Sequence, residues 1–599
     1  MTQDYPWLAF YDAVPHHLEY PDCTMCELVE QAASNKLKMS AFDFMGSNTT
    51  YVKFLAQIKR TAAALIALGI EENDTVTICL PNVPQALIMF YAVNKIGAIS
   101  NMIHPLSSEN EIKFFLNSSN SKAVITLDQF YNKFREIRKS GVVVNNLIIT
   151  SVRDVLPPML KLGYDVTDGR KVHKIPETAD VIWWDKKQGE KHLFTEAAEQ
   201  IPESEITRKR RAQDPATMLY SGGTTGTIKG ILLSNLNFNA LATQILAANP
   251  MIQPGESILT IMPMFHGFGL GISAHTALAG AFKCILVPRF TPKTYVGLLK
   301  KYKPNYIAVV PTLLEALLRI KEAEKLDLSC LKGVFSGGDS LSADLKRRFD
   351  ELLKKCKCTV TVREGYGTTE CVTASCLTPY HMFKEGSVGI PLPDMVYKIV
   401  KLKPPDEVFS TVIDGETVFH VEEAAFGEEG EICLAGPTVM LGYLNQPEET
   451  ASTLRRHADG LVYVHTGDLG VMDEDGFVYF RQRIKRMIVT NGYNVYPSRI
   501  EDILDAHSHV QMSCVIGMPD PLKMQKVKAF VMLKPGITPS DEVKNALFAH
   551  CKKNIAKYAM PYDIEFRDSL PKTLVGKVAY RVLEEEEAAK AQAQAGTTI

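Results

Sequence analysis

A glycine- and threonine-rich segment at residues 221–230 carries the strongest chemical signal in the sequence. It reads Ser-Gly-Gly-Thr-Thr-Gly-Thr-Ile-Lys-Gly and follows residues 218–220, which have the composition of a strand end. Glycines let backbone N–H groups crowd around an anion, and threonine hydroxyls add further donors. Lys229 adds a positive charge, but it precedes Gly230, which excludes a Walker A loop. The segment predicts a polyphosphate-binding loop, with a flexible linker as the alternative.

Two further clusters carry groups that suit a nucleotide. Residues 364–370, Glu-Gly-Tyr-Gly-Thr-Thr-Glu, place Tyr366 between two glycines, where its ring face could stack on a base. Glu370 is a hard oxygen ligand of the kind that Mg²⁺ accepts beside phosphates. Asp468, in the run His-Thr-Gly-Asp, could accept hydrogen bonds from two ribose hydroxyls. Taken alone, the cluster at residues 364–370 is better explained by an ordinary β-turn followed by a solvated glutamate, and the alternative for Asp468 is a turn cap.

A lysine near the end of the chain could carry charge toward a ligand. Lys577 ends the run Pro-Lys-Thr-Leu-Val-Gly-Lys at residues 571–577, and a lysine after glycine on a short turn is free to project. Most lysines are solvated surface groups, so the residue alone leaves both interpretations open.

The elements that must position these groups follow an α/β pattern. Apolar residues at three- and four-residue steps predict a helix over residues 51–68, and short apolar runs predict strands at 76–80 and 123–127. Similar strand patterns return as far as residue 336. This alternation predicts α/β units around a largely parallel sheet.

Changes of pattern along the rest of the chain predict further units. Residues 150–210 are irregular and rich in charge, strands become short beyond residue 395, and a basic run surrounds residue 484. The predicted segments, in chain order, are an N-terminal domain at 1–483 with a surface insertion at 150–210 and a β-rich subdomain at 395–480, a hinge at 484–486, a small mobile α+β lid domain at 487–585 and a tail at 586–599.

The composition excludes several classes of protein. The 599 residues are 46% hydrophobic and 22% charged, with a net charge of −2, so the chain is not disordered and has no global field for nucleic acid. The twelve cysteines are scattered, and Cys23 and Cys26 lack a second pair with zinc spacing. We expect a helix that starts after Thr24 there. The sparse cysteines suit a reduced cytoplasm, and the start of the sequence shows no signal-peptide pattern. The uncharged residues 257–282 contain proline and glycines, so we expect them to form part of a buried core.

The clusters occur in an order that resembles one enzyme family. From about residue 49 to residue 583 the chain is similar to the AMP-forming acyl-CoA synthetases of the adenylating superfamily. Further matching runs begin at Pro263, Ser336, Gly386, Gly430, Gly442 and Gly492. The resemblance implies two half-reactions that use ATP, Mg²⁺ and CoA: an acid and ATP form an acyl-adenylate and pyrophosphate, and a thiol then displaces AMP.

The resemblance also implies roles for individual residues. The following would hold the β- and γ-phosphates: Ser221, Gly222, Gly223, Thr224, Thr225, Gly226 and Lys229. Tyr366 would stack on adenine in a slot lined by Gly338 and Gly365, with Thr369 near the α-phosphate. Asp468 and Arg483 would hold the ribose hydroxyls.

Four side chains would act on the reacting groups. Thr224 and Glu370 would ligate Mg²⁺. Lys577 would bridge the acyl carboxylate and the α-phosphate, where charge grows in the transition state. His266 would lie beside the carboxylate and the acyl channel.

The resemblance further implies a rotation of the lid domain between the half-reactions. Lys485 matches the hinge, and rotation would withdraw Lys577 and bring the loop at Gly492 to a pantetheine tunnel. The chain departs from the family pattern at residues 227–228, Glu364, Gln482, Arg486 and 524–526. The departures other than residues 227–228 affect the expected thioester step and nucleotide affinity more than adenylation.

The substrate implied by the closest motifs is a medium- to long-chain fatty acid. Residues 459–483 are similar to the fatty acyl-CoA synthetase signature, and residues 265–271 are apolar and rich in glycine. The alternatives are transfer to a carrier-protein pantetheine, an aryl or branched acid, and an inactive adenylate-binding protein. We expect no nucleic acid partner and a transient contact with the inner membrane surface, because long-chain acids partition into lipid. The sequence predicts no oligomeric state.

Overall fold

The computed structural model describes residues 5–176, 179–184, 194, 201–222, 228–404, 407–490, 493–520, 523–573 and 577–596. Gly223, Thr224, Thr225, Gly226 and Gly492, five of the predicted site residues, lie outside these ranges. The chain is a mixed α/β protein with two large, mostly parallel sheets, a smaller β-rich sheet and a C-terminal α+β unit. The predicted fold class is confirmed.

The first large sheet has nine strands and places the glycine-rich turns at one edge. Its five central pairings are parallel because helices cross between successive strands, whereas the outer hairpins are antiparallel. The strands, in spatial order, are Ile390–Pro391, Cys376–Leu377, Val362–Tyr366, Gly333–Gly337, Tyr306–Val309, Ser257–Thr260, Lys283–Leu286, Ser40–Phe44 and Ser47–Thr50.

The second large sheet has eight strands and carries the predicted phosphate loop. The loop joins the antiparallel pair Pro215–Gly222 and Ile228–Ser234. The strands, in spatial order, are Gly442–Tyr443, Ile228–Ser234, Pro215–Gly222, Ile99–Met102, Thr75–Cys79, Ala123–Leu127, Asn146–Thr150 and Ile182–Trp183.

The two smaller sheets are mainly antiparallel. The β-rich sheet contains Val396–Val400, Gly430–Ala435, Val462–Met472, Leu454–His457, Glu416–Phe419, Ser410–Ile413 and Val478–Arg483. A 3₁₀ turn, Ile484–Arg486, leads to the C-terminal sheet. That sheet contains Tyr493–Val495, Ile488–Thr490, Met524–Leu533, Val510–Asp520 and Asp563–Phe566.

Helices cover the large sheets because their apolar faces pack against buried strands. The α-helices of the N-terminal part are Met25–Ala33, Tyr51–Ala67, Pro84–Lys95, Glu109–Ser119, Tyr131–Lys139, Val152–Val155, Pro158–Val166, Glu203–Ile206, Asn235–Ala247, Ala277–Ala279, Pro292–Tyr302, Pro311–Leu318, Ala343–Lys355 and Pro447–Thr453. The C-terminal part has Pro497–Asp505, Asp541–Asn554 and Tyr580–Gly596. Thr24 caps helix Met25–Ala33, as the sequence predicts, because its side chain accepts a hydrogen bond from the Glu27 N–H group at 3.1 Å.

The uncharged stretch at residues 257–282 lies in the core, as predicted. It forms the buried strand Ser257–Thr260, the π-helix Phe268–Thr276 and the short helix Ala277–Ala279. Within the described part of the chain, no helix has the length and apolar character that crossing a membrane requires.

Candidate active site

The main cavity lies at the carboxyl edge of the nine-stranded sheet. Strands Gly333–Gly337 and Val362–Tyr366 run parallel with Gly337 opposite Gly365, so their turns meet at this edge. The cavity encloses about 1040 Å³ of space between protein atoms, including its open mouth. Its polar end is lined by Gly338, Gly365, Tyr366, Thr369, His266, Arg483 and Lys577. Seven of the predicted site residues therefore surround one space.

Tyr366, Asp468 and Arg483 form a buried polar group at this end. The Tyr366 hydroxyl donates to Asp468 Oδ2 at 2.6 Å, and Arg483 Nε lies 2.8 Å from Asp468 Oδ1. Asp468 is 1% exposed and faces Arg483 across the pair of strands Val462–Met472 and Val478–Arg483. The Asp468 carboxylate raises the pKa of the Arg483 guanidinium. The position of the Asp468 carboxylate is therefore fixed directly behind two residues, Tyr366 and Arg483, that line the cavity.

The turn that presents Asp468 is held by a glutamate that sequence reasoning did not identify. Glu431 Oε1 accepts from the Gly467 N–H group at 2.9 Å, and Glu431 Oε2 lies 2.8 Å from His465 Nδ1. Thr466 Oγ1 donates to a backbone carbonyl and accepts from the Asp468 N–H group at 3.0 Å. Gly467 has φ = +69°, which favours glycine. The conformation of the turn is therefore fixed from both sides.

Glu370 has one carboxylate oxygen engaged and one available. It lies in the 3₁₀ turn Thr369–Cys371, and the Tyr443 hydroxyl donates to Glu370 Oε1 at 2.8 Å. Among the described residues, Oε2 has no hydrogen-bond partner. A half-buried carboxylate next to Thr369, which lines the cavity, fits Mg²⁺, because Mg²⁺ is bound through one or two carboxylates and phosphate oxygens. Thr224, the other predicted ligand, lies outside the described residues.

The ends of the predicted phosphate loop are placed in register. Ser221 and Gly222 end one strand, and Lys229 lies opposite Ser221 on the next. Lys229 forms an ion pair with Glu449, and its Nζ lies 4.6 Å from the centre of the Tyr443 ring. The lysine is thus held near Glu370 through Tyr443, and a polyphosphate would have to compete with Glu449 for it.

Lys577 reaches the cavity from the C-terminal unit. Its backbone N–H group donates to Thr573 Oγ1 at 3.1 Å, and its carbonyl accepts from the Thr573 N–H group at 2.7 Å. A Cβ placed on Gly338 would lie 3.7 Å from Lys577 Cε, so the side chain crosses the glycine turn closely. Among the described residues, no acceptor contacts Nζ. Burial lowers the pKa of the lysine.

His266 lies between the polar end and the apolar branch of the cavity. Its Nδ1 accepts from the Phe268 N–H group at 3.2 Å. Burial and the nearby charge of Lys577 lower the pKa of His266 to about 3, so the ring is neutral at pH 7. A neutral imidazole can be buried beside the apolar part of a carboxylic acid without the energetic cost of burying a charge.

The apolar branch was not predictable residue by residue. Ile245 and Ile252 come from the region of helix Asn235–Ala247, whereas Ile258 comes from a strand of the sheet. The rings of Phe282 and Tyr306 also line the cavity and stack with centroids 5.5 Å apart. The run at 265–271 indicated an apolar pocket, but the other residues are scattered over the sequence and share no motif. We call this branch the acyl branch.

The predicted hinge residue Lys485 is exposed in the turn Ile484–Arg486. The adjacent departure from the family pattern, Arg486, has a partner in the C-terminal unit. Arg486 Nη2 donates to Glu501 Oε1 at 2.5 Å, and its guanidinium lies 4.7 Å from the centre of the Tyr580 ring. The C-terminal side of the turn is therefore attached to the unit that carries Lys577.

Comparison with known proteins gives a consistent assignment. The model of the AMP-binding enzyme family matches residues 28–444, and the model of the AMP-binding enzyme C-terminal domain matches residues 499–577. The chain is 34% identical to a long-chain-fatty-acid–CoA ligase of Bacillus subtilis, over 98% of this chain and 99% of that protein. It is 32% identical to a long-chain-fatty-acid–CoA ligase of Salmonella typhimurium, over 97% and 98%.

Solved structures show the same fold. The chain is similar to ATP-bound MatB from Rhodopseudomonas palustris, with a TM-score of 0.76 and 25% identity over 94% of this chain and 98% of that one. It is also similar to the anthranilate CoA ligase AuaEII in complex with anthranoyl-AMP, with a TM-score of 0.78 and 21% identity over 96% and 98%.

Proposed function

We propose that this chain, which belongs to the AMP-binding enzyme family, is a long-chain fatty acid–CoA ligase that uses ATP. A fatty acid carboxylate attacks the α-phosphorus of ATP, which forms an acyl-adenylate and releases pyrophosphate. The CoA thiol then attacks the acyl carbon, which forms the thioester and releases AMP. The observation that carries the proposal is the single cavity that joins the acyl branch to Lys577 and to the Tyr366–Asp468–Arg483 group. The near full-length relatives named as long-chain-fatty-acid–CoA ligases support this substrate.

The polar end of the cavity would bind ATP. Tyr366 and the turns at Gly338 and Gly365 would enclose the adenine, and Asp468 with Arg483 would bind the ribose hydroxyls. Thr369 would face the α-phosphate, and the loop from Ser221 to Lys229 would bind the outer phosphates. Tyr366, Gly338, Gly365, Thr369 and Arg483 all line the cavity, which supports this assignment.

Lys577 would act on the adenylation step. Negative charge grows on the oxygens between the carboxylate and the α-phosphorus as the new bond forms. An ammonium group placed there in a largely buried site stabilises that charge strongly. Lys577 is suited to this position because its side chain lies beside Gly338 and has no described acceptor of its own.

Glu370 and Thr224 would hold Mg²⁺. The ion would neutralise phosphate charge and orient pyrophosphate as a leaving group. Glu370 is supported as a ligand because its Oε2 has no hydrogen-bond partner in the part of the chain that the structure describes. Glu370 itself would keep its position through the Tyr443 hydroxyl, which contacts Oε1 at 2.8 Å.

The thioester step would require the C-terminal unit to move. With residues 487–585 as a lid and 484–486 as the hinge at Lys485, rotation would withdraw Lys577 and admit pantetheine beside Gly492. The attachment of Arg486 to Glu501 supports a pivot on the N-terminal side of Arg486. Such a motion could limit turnover.

The acyl branch would bind the alkyl chain. Its lining includes Ile245, Ile252, Ile258 and the stacked rings of Phe282 and Tyr306, so each methylene buried there adds about 0.8 kcal/mol. We further propose that the enzyme takes its substrate from the inner face of the cytoplasmic membrane through transient contact, because long-chain acids partition into lipid.

Incubation of the purified protein with ATP, Mg²⁺ and palmitate, with and without CoA, tests the function. We expect pyrophosphate exchange without CoA and palmitoyl-CoA with stoichiometric AMP when CoA is added. AMP release that ignores CoA but needs a carrier protein would reassign the acceptor. Exchange that requires an aryl or branched acid would reassign the substrate, and no exchange with any acid would overturn the proposal.

A further inference from the structure

A second cavity lies behind the strand that carries Tyr366. It encloses about 530 Å³ of space between protein atoms and its opening. The walls are mostly apolar and include Phe10, Leu377 and Ile390, whereas Ala13 and Tyr380 are exposed at the opening. None of the proposed substrate groups of the main reaction uses this space.

One buried cation, Arg363, lines the second cavity. It lies on strand Val362–Tyr366 and is 8% exposed. Its Nε donates to the Thr378 carbonyl at 2.8 Å, and its Nη1 donates to Asn249 Oδ1. The rings of Phe335 and Tyr380 lie 5.5 and 5.7 Å from its guanidinium carbon.

Arg363 has fewer partners than its charge and donors require. A guanidinium carries five N–H donors, and two are engaged here, so both N–H groups of Nη2 and one of Nη1 lack an acceptor among the described residues. No described carboxylate forms an ion pair with it, and the cavity's one acidic residue, Asp12, is exposed. Burial lowers the pKa of Arg363 to about 10, so the group stays charged at pH 7.

Buried charges in proteins are usually paired with an opposite charge. Here two neutral oxygens and two ring faces compensate the cation only in part. The unused N–H groups at the end of a guanidinium match the two oxygens of a carboxylate. The apolar walls would suit a short hydrocarbon body attached to that carboxylate.

From these observations we propose that the second cavity is a binding site for a small carboxylate with an apolar body, held by Arg363. The ligand's carboxylate contacts the free N–H groups of the guanidinium, and its hydrocarbon part packs against Phe10, Leu377 and Ile390. Leu377 lines both cavities, whereas Arg363 lines the second cavity and not the main one.

Equilibrium dialysis with radiolabelled hexanoate tests this site. The main cavity is first filled with a non-reactive long-chain acyl-adenylate mimic, so that only the second cavity is open. We expect the filled wild type to bind one equivalent of hexanoate and the Arg363→Met variant to bind about tenfold more weakly or worse. Hexanol, which lacks the charge, should displace hexanoate poorly.

Two variants locate the binding and guard against misfolding. Ala13→Trp narrows the opening at an exposed position and should abolish hexanoate binding while Arg363 is intact. Arg135→Met, which removes an exposed arginine paired with Glu136, should bind hexanoate like the wild type.

Three results would overturn the proposal. The first is that the wild type binds no hexanoate when its main cavity is filled. The others are that Ala13→Trp binds hexanoate as well as the wild type does, or that hexanol competes as strongly as unlabelled hexanoate. Palmitate-dependent pyrophosphate exchange is measured on the same protein. Exchange without hexanoate binding would remove this site and leave the proposed function intact.

Discussion

Two charged groups, Asp468 behind the polar end of the main cavity and Lys577 in its lining, are held in opposite ways. The Asp468 carboxylate is 1% exposed and is fixed by Tyr366, by Arg483 and by a turn that Glu431 holds from behind. Among the described residues, Lys577 forms hydrogen bonds through its backbone, to the hydroxyl and the N–H group of Thr573, and its Nζ has no acceptor. One group is built into the N-terminal part, whereas the other is delivered by the C-terminal unit. We infer that the nucleotide-binding group is already in place in the N-terminal part. The catalytic charge, that of Lys577, enters the site only when the C-terminal unit is in the matching position.

Removal of the delivered charge should have the largest effect. We expect Lys577→Ala to lower palmitate-dependent pyrophosphate exchange by roughly 10²–10³-fold, as for the loss of one transition-state donor. The Michaelis constant for ATP should change much less, because the nucleotide contacts remain. Lys572→Ala, on the same turn but exposed, is the matched control and should keep exchange. Equal losses in the two variants would place the effect in the turn and not in the ammonium group.

Damage to the preformed group should act mainly on nucleotide binding. Asp468→Asn removes the charge that pairs with Arg483 and weakens a hydrogen bond from Tyr366. A charged hydrogen bond is worth ~1.5–3 kcal/mol, so we expect the Michaelis constant for ATP to rise roughly 10–100-fold. Asp475→Asn, an exposed carboxylate paired with Lys384, should leave it unchanged. A fall in the maximal rate with no change in ATP affinity would break the distinction between the two groups.

The acyl branch also belongs to the N-terminal part. Its length should be measurable from the dependence of the specificity constant on the chain length of the fatty acid. The specificity constant should rise about fourfold for each added methylene, since each is worth about 0.8 kcal/mol. Ile258→Phe, which adds volume to the lining, should shift the preferred chain to a shorter length, whereas Ile175→Phe, in another core, should not. A profile that is flat with chain length in the wild type would contradict an apolar acyl branch.

A substitution of Glu431, which holds the turn of Asp468, should have the smallest effect on activity. Its effect on stability should depend on pH. Burial alone would raise the pKa of Glu431, but the hydrogen bond from His465 and the charge of that ring hold it below its usual value. Glu431 therefore stabilises the fold above the unfolded-state pKa of about 4.3, and this contribution is lost as the pH falls through the lower folded-state pKa.

We expect Glu431→Gln to lower the free energy of unfolding at pH 7 by about 1 kcal/mol and to raise the Michaelis constant for ATP only slightly. Urea unfolding at a series of pH values measures the difference, which should shrink toward acid. A difference that is constant down to the acid limit would show that the carboxylate charge does not hold the turn.

Local pattern was enough to predict the elements and the motifs that carry the site. The strand predicted at residues 123–127 is Ala123–Leu127, and the helix predicted at 51–68 is Tyr51–Ala67, because buried faces impose regular spacing on both. Lys577, by contrast, could be related to Gly338 only through a family resemblance, because no local rule connects positions so far apart in the chain.

Contacts between distant segments could not be predicted. Lys229 pairs with Glu449, and Glu431 supports the turn of Asp468, but the residues around each glutamate do not indicate which distant residue it contacts. The residues of the acyl branch come from a helix, a π-helix and several strands. Such sets are defined by how elements pack, and single apolar residues are uninformative because most of them belong to an ordinary core.

The central claim is that the C-terminal unit supplies Lys577 for one half-reaction and withdraws it for the other. Thioester formation from preformed palmitoyl-adenylate and CoA, measured with the Lys577→Ala variant, tests this most directly. We predict a rate close to that of the wild type, although the same variant has lost pyrophosphate exchange. A loss of thioester formation as large as the loss of exchange would contradict the claim.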